Sequence, residues 1–173
     1  SDCMAPSEAL REQYERDGFL VAKNVLRPAT VAALTRTVGW SADWYGLMPG
    51  GKGYRHAGTV DALEHLERGE LPLEVRTDPV LKTVAYEEGL SALLKVFLGT
   101  ETLYMHSPPS VRASVPGRVT SLVPWHQDCA YNPHLADFVS VWVPLVFVGG
   151  DCGGVRIVPR SHVYGACGHH KPV

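Results

Sequence analysis

The chain has 173 residues, a length suited to one domain with a substantial core. Its 45% apolar and 20% charged residues are ordinary for a globular protein and argue against disorder. A formal charge of -2 gives no basic footprint for nucleic acid, and no apolar run approaches the roughly 20 residues that a membrane span requires. The opening Ser1-Asp2-Cys3-Met4-Ala5-Pro6 lacks the basic and apolar regions of a secretory signal, so a cytoplasmic location is expected. Cys3, Cys129, Cys152 and Cys167 form no C-x-x-C and read as free thiols of a reducing compartment. Cys167 with His169 and His170 does not have the spacing of a structural zinc site, and a polar tail is the simpler reading.

In chain order, Ser7 is placed to cap a helix through Asp17, with Leu10 and Tyr14 one turn apart and Gly18 at its end. Phe19-Leu20-Val21 reads as a strand. Pro28 opens a second helix that carries Val31, Leu34 and Val38 at helical spacing. The stretch Trp40 to Tyr54, rich in glycine and aromatic residues, reads as a loop. It is either simply mobile or a cover over a pocket, and its Gly-Gly-Lys-Gly does not match a phosphate loop. Asp61 to Arg68 predicts a short helix stopped by Gly69. Asp78-Pro79 then supplies an N-cap and a pre-set first helical position. From Val80 to Leu98 the apolar residues make one buried face that ends at Gly99, and Gly89 is a point where the helix can split.

After Gly99 the pattern turns extended. Leu103 to His106, Val111 to Val115, Val119 to Val123, the alternating run Phe138 to Val148, and Val155 to Val158 are short, rich in β-branched residues and divided by Pro and Gly. That predicts an antiparallel sandwich or barrel. The chain therefore reads as one domain over residues 1–173, helical to about residue 99 and β-stranded over about 100–173.

The chemistry-bearing stretch is Trp125-His126-Gln127-Asp128 with Tyr131 just beyond it. On an extended backbone, positions i and i+2 share a face, so His126 and Asp128 project together and Gln127 points the other way. An imidazole beside a carboxylate is two thirds of the facial set that holds non-haem Fe(II). An H-x-D also arises by chance or as a local hydrogen-bonded pair, and this spacing alone does not separate those readings.

Five pieces in order resemble the phytanoyl-CoA dioxygenase family of Fe(II)/2-oxoglutarate oxygenases. They are Tyr14 to Val21, Asp78 to Gly99, Trp125 to Asp128 with Tyr131, Trp142, and Gly153 to His162. The last is similar to the family's closing N-G-x-L-x-V-x-P-G-S-H stretch, with Arg160 in place of the glycine. The resemblance implies a mainly β fold with flanking α-helices, the double-stranded β-helix or jelly roll of cupin-like proteins. It implies a dioxygenase that hydroxylates a small-molecule substrate while 2-oxoglutarate is decarboxylated to succinate, using Fe(II) and O2. His126 and Asp128 carry over as metal ligands, with no further catalytic residue assigned, and a carboxylate at 128 implies hydroxylation over halogenation. Trp142 carries over as a wall of the 2-oxoglutarate pocket, Arg112 as a cation near that co-substrate, and His162 as a structural residue. The family's third ligand and its 2-oxoglutarate-anchoring arginine lie beyond the P-x-S-H stretch, and the sequence ends at Val173. It is thus expected to hold about the first two thirds of the domain, to leave the jelly roll incomplete, and to be unable to run the reaction alone. Two other readings stand beside this one: a truncated, inactive jelly-roll protein that binds a ligand or partner, and a cupin-like metal enzyme with another ion at His126 and Asp128. A small-molecule substrate is the expected partner, with neither nucleic acid nor membrane.

Overall fold

Helices in the first hundred residues form where apolar periodicity and capping residues agree. The computed structural model describes residues 6–44, 67–114, 119–135, 137–149 and 153–167. Helix α1 is Pro6–Asp17 and α2 is Pro28–Trp44, with prolines at their first positions, where a missing N–H costs nothing. Leu34 and Ala42 of α2 are buried. Trp40 to Trp44 therefore continue the helix and do not begin the expected loop. Ala42 enters the core with Leu71 and Val75, and the Ser41 hydroxyl donates to the Thr37 carbonyl at 2.8 Å. The rest of that loop, and the helix expected from Asp61, lie outside the described residues except for the turn at Gly69.

Gly69 has φ +75°, and a Cβ there would collide with the carbonyl oxygen of Ala113. The bare backbone lets Ala113 N–H donate to Gly69 O at 2.7 Å and Leu71 N–H to Val111 O at 2.9 Å. These bonds flank an antiparallel bridge between Glu70 and Arg112. Two short helices follow, α3 (Leu73–Arg76) and α4 (Pro79–Lys82). Asp78 caps α4 as its sequence predicts, accepting from Val80 N–H at 2.8 Å.

A 3-10 turn, Thr83–Tyr86, leads to α5 (Glu88–Leu98), which Gly99 ends in the left-handed conformation at φ 61°. The expected split falls at Glu87, not at Gly89. Glu87 is extended at φ -77° and ψ 112° because its carboxylate turns back to the start of α2. There it accepts from Arg27 N–H at 2.9 Å, from Arg27 Nε at 3.1 Å and from the Thr30 hydroxyl. Gly89 has a different task, since a Cβ there would press on the Val25 carbonyl at 2.8 Å. Tyr14 of α1 stacks on Phe97 of α5, centroids 4.5 Å apart and planes 5° from parallel. No helix among the described residues is long and apolar enough to cross a membrane.

The expectation of a mainly β, jelly-roll fold is corrected. Among the described residues the chain is 46% helical and 2% strand, with no sheet. Phe19 to Val21 and Phe138 to Val148 have no ladder, and Val119–Ser121 and Asp128–Ala130 are 3-10 turns. The reason is physical: strand propensity measures fit to a pleated, half-buried surface, and it yields a strand only where a neighbour supplies hydrogen bonds and cover. In the run from Phe138, consecutive residues of both parities stay exposed, Val141 with Trp142 and Val146 with Phe147, so no one face is buried. The segment is tied instead by side chains, as where the Thr35 hydroxyl meets the Leu145 carbonyl at 3.4 Å.

Candidate functional site

Pro124, Trp125 and His126 lead the chain to Gln127, which is extended (φ -113°, ψ 133°), before the 3-10 turn Asp128–Ala130 begins. One extended residue is enough to produce the i, i+2 juxtaposition. His126 Nε2 lies 3.1 Å from Asp128 Oδ1. The other ring nitrogen, Nδ1, is 2.8 Å from the Pro124 carbonyl. A carbonyl oxygen only accepts, so Nδ1 carries the proton, and in the neutral ring Nε2 presents its lone pair to the carboxylate. At 3.1 Å the contact is an ordinary hydrogen bond when the ring carries its second proton, and the same two atoms can instead converge on a cation. That chemistry suits a divalent metal: an imidazole oriented through its far N–H by a carbonyl, next to a carboxylate, is a common arrangement at metal centres. Among the described residues, no third His, Cys, Asp or Glu joins the pair.

The surroundings hold Asp128 at both ends. Its Oδ2 accepts from the Ser140 hydroxyl, and its backbone carbonyl accepts from Asn132 Nδ2 at 3.1 Å. Tyr131 N–H closes the turn on Asp128 O at 3.1 Å, and the Tyr131 ring meets His126 edge-on at 5.3 Å. The side chains of His126 and Asp128 are 26% and 44% exposed, so solvent and small solutes reach them. Directly after Asp128, Cys129 enters the lining of an open groove of about 350 Å³ with Tyr14, Phe97, Leu98, Phe138 and Val139. Burial raises the Tyr14 hydroxyl above its ordinary pKa.

Arg112 is on the bridge to Glu70 and its Nη2 donates to the Arg68 carbonyl at 2.7 Å. Trp142 is two residues beyond Ser140 and 53% exposed. His162 Nε2 donates to the Glu15 carbonyl at 2.8 Å at the end of α1, and Arg160 N–H donates to Asp17 O at 2.8 Å. Cys129 and Cys167 are free thiols, whereas Cys3, Cys152, His169 and His170 lie outside the described residues.

A family model described as phytanoyl-CoA dioxygenase matches residues 14–170, nearly the whole chain. The chain belongs to the phytanoyl-CoA dioxygenase family. No solved structure matches it. Phytanoyl-CoA dioxygenase-like proteins are, in general, Fe(II)- and 2-oxoglutarate-dependent oxygenases, so this chain is dioxygenase-like at that coarse level. The family's closing P-G-S-H has a physical basis here, since Arg160 adopts φ 62°, a left-handed conformation that glycine takes without cost. Sequence reasoning did not reach Ser140, twelve residues from Asp128, nor the partners of the Gln127 amide. Neither residue type nor spacing distinguishes them; only the folded backbone brings them in.

Proposed function

We propose that this protein is an Fe(II)/2-oxoglutarate-dependent oxygenase that hydroxylates a small-molecule substrate, with His126 and Asp128 as its two metal-facing side chains. The supporting observation is the pair itself: Nε2 faces Oδ1 at 3.1 Å while Nδ1 is committed to the Pro124 carbonyl. Iron held there supplies the O2 chemistry that oxygenases couple to decarboxylation of 2-oxoglutarate to succinate. The chain's own residues do the positioning. Pro124 sets the ring tautomer, Ser140 holds the far carboxylate oxygen, and Tyr131 packs against the ring edge. In this proposal Trp142, two residues beyond Ser140, lines the 2-oxoglutarate site, and Arg112 is the cation assigned to the same co-substrate.

The test is Fe(II) or Co(II) affinity, measured on the wild type and on the single variants His126→Ala and Asp128→Ala. Each substitution removes a whole ligand, so the loss of Fe(II) or Co(II) affinity should exceed the 10–100-fold typical of outer partners. Wild-type metal affinity in a folded double variant, His126→Ala with Asp128→Ala, would overturn the assignment.

A further inference from the structure

We propose that Gln127 is a positioning residue for this site, its side-chain amide clamping the backbone of residues 165–167 beneath the His126–Asp128 pair. The inference rests on the metal-site reading above, and it assigns a task to the one residue between the two metal-facing side chains. Gln127 is extended, so its side chain leaves the backbone on the face opposite to its neighbours. There its Nε2 donates to the Gly165 carbonyl at 3.0 Å, and its Oε1 accepts from Cys167 N–H at 2.7 Å. One primary amide thus satisfies a carbonyl and an N–H two residues apart, the pairing that a neighbouring strand would give.

The clamped segment is itself fixed. Gly165 N–H donates to His162 O at 3.1 Å, and His162 reaches the Glu15 carbonyl at 2.8 Å. A continuous series of bonds therefore runs from the end of α1 through His162, Gly165 and Gln127 to the centre of the H-x-D stretch. Rotation about the Gln127 backbone would swing His126 and Asp128 apart, because each is joined to it by one peptide bond. Holding that residue from below keeps Nε2 and Oδ1 convergent before any metal arrives.

The clamp needs a donor and an acceptor at the same reach, which only glutamine supplies. Gln127→Leu removes both. Gln127→Glu keeps the acceptor for Cys167 but turns an anionic oxygen on the Gly165 carbonyl. The glutamate variant also adds negative charge beside a cation site, so charge alone would tighten metal binding, whereas loss of the clamp weakens it. The experiment is Co(II) titration of the full chain, followed by visible absorption, together with hydrogen exchange of the Cys167 amide in the metal-free protein and thermal unfolding.

Both variants are expected to bind Co(II) about 10–100-fold more weakly than wild type. Cys167 exchange should be faster in Gln127→Leu, with the unfolding midpoint little changed. Wild-type affinity in Gln127→Glu, or in a folded Gln127→Leu, overturns the positioning role while the metal reading stands. Unchanged Cys167 exchange in Gln127→Leu overturns the clamp itself, independently of metal. Failure of the wild type to bind Co(II) overturns the metal reading and the positioning role with it.

Discussion

Glu87 buries its carboxylate, 1% exposed, where the Thr30 hydroxyl, the Arg27 N–H and the Arg27 guanidinium all donate to it. The Thr30 bond first, then the Arg27 backbone bond, hold its pKa below the ordinary glutamate value. A depressed carboxylate contributes stability above the unfolded-state value, near about 4.3, and that contribution is lost as pH falls through the lower folded value. Glu87→Gln should therefore lower the thermal midpoint at pH 7 and flatten its decline below about pH 4, measured by unfolding scans across pH. A variant with the wild-type acid limb would show that another group sets it. At the His126–Asp128 pair the corresponding single-residue test is Ser140→Ala. It leaves Asp128 Oδ2 without its hydroxyl donor and should weaken Co(II) binding by about 10-fold with little change in unfolding, as loss of an outer partner does.

The end of α1 shows how much of an element is written locally and how much is not. Leu10, Tyr14 and Gly18 announce a helix and its stop, and Gly18 duly adopts φ +80° with its N–H on the Tyr14 carbonyl at 2.8 Å. What the local sequence cannot show is that the next carbonyls are capped from 140 residues or so away in the chain, Glu15 by His162 and Asp17 by Arg160 N–H. Helix ends leave carbonyls without intrahelical partners, and nothing in a helix's own sequence says which distant donor will serve them. The seat is tight, for a Cβ on Gly18 would strike the His162 ring. Gly18→Ala should thus cost about 1–3 kcal/mol, from the positive φ and from the displaced ring. Arg160→Gly should hold or slightly raise stability, because relief at φ 62° offsets the greater freedom of glycine in the unfolded chain. Arg160→Val should lower it by about 1–2 kcal/mol. Denaturant unfolding of the three variants checks the order, and a stable Gly18→Ala would mean that His162 does not seat there.

Across the whole molecule, the helical half was legible because each of its signals is local: Pro28 at a first turn, Asp78 before Pro79, the apolar spacing of Leu90, Leu94 and Phe97, and Gly99 at a stop. The juxtaposition of His126 and Asp128 was legible for the same reason, since it requires only that Gln127 be extended. The β half was not, because a strand is defined by a partner that may sit anywhere in the chain. From Leu103 to Val158 the β-branched and aromatic residues announce strands, yet among the described residues the backbone meets another segment as a ladder at Glu70 and Arg112 alone. Amide exchange separates these two halves. N–H groups held within α5 and at its Gly99 stop should be protected, as should Leu71 and Ala113 across the bridge. The amides of residues 139–149 and 153–158, which donate to no other backbone segment among the described residues, should exchange far faster, close to the rate of exposed chain. Far-UV circular dichroism of the same sample should be dominated by helix. Protection of alternate residues through 139–149, the mark of a paired strand, would show that this segment pairs with a neighbour and would overturn the prediction.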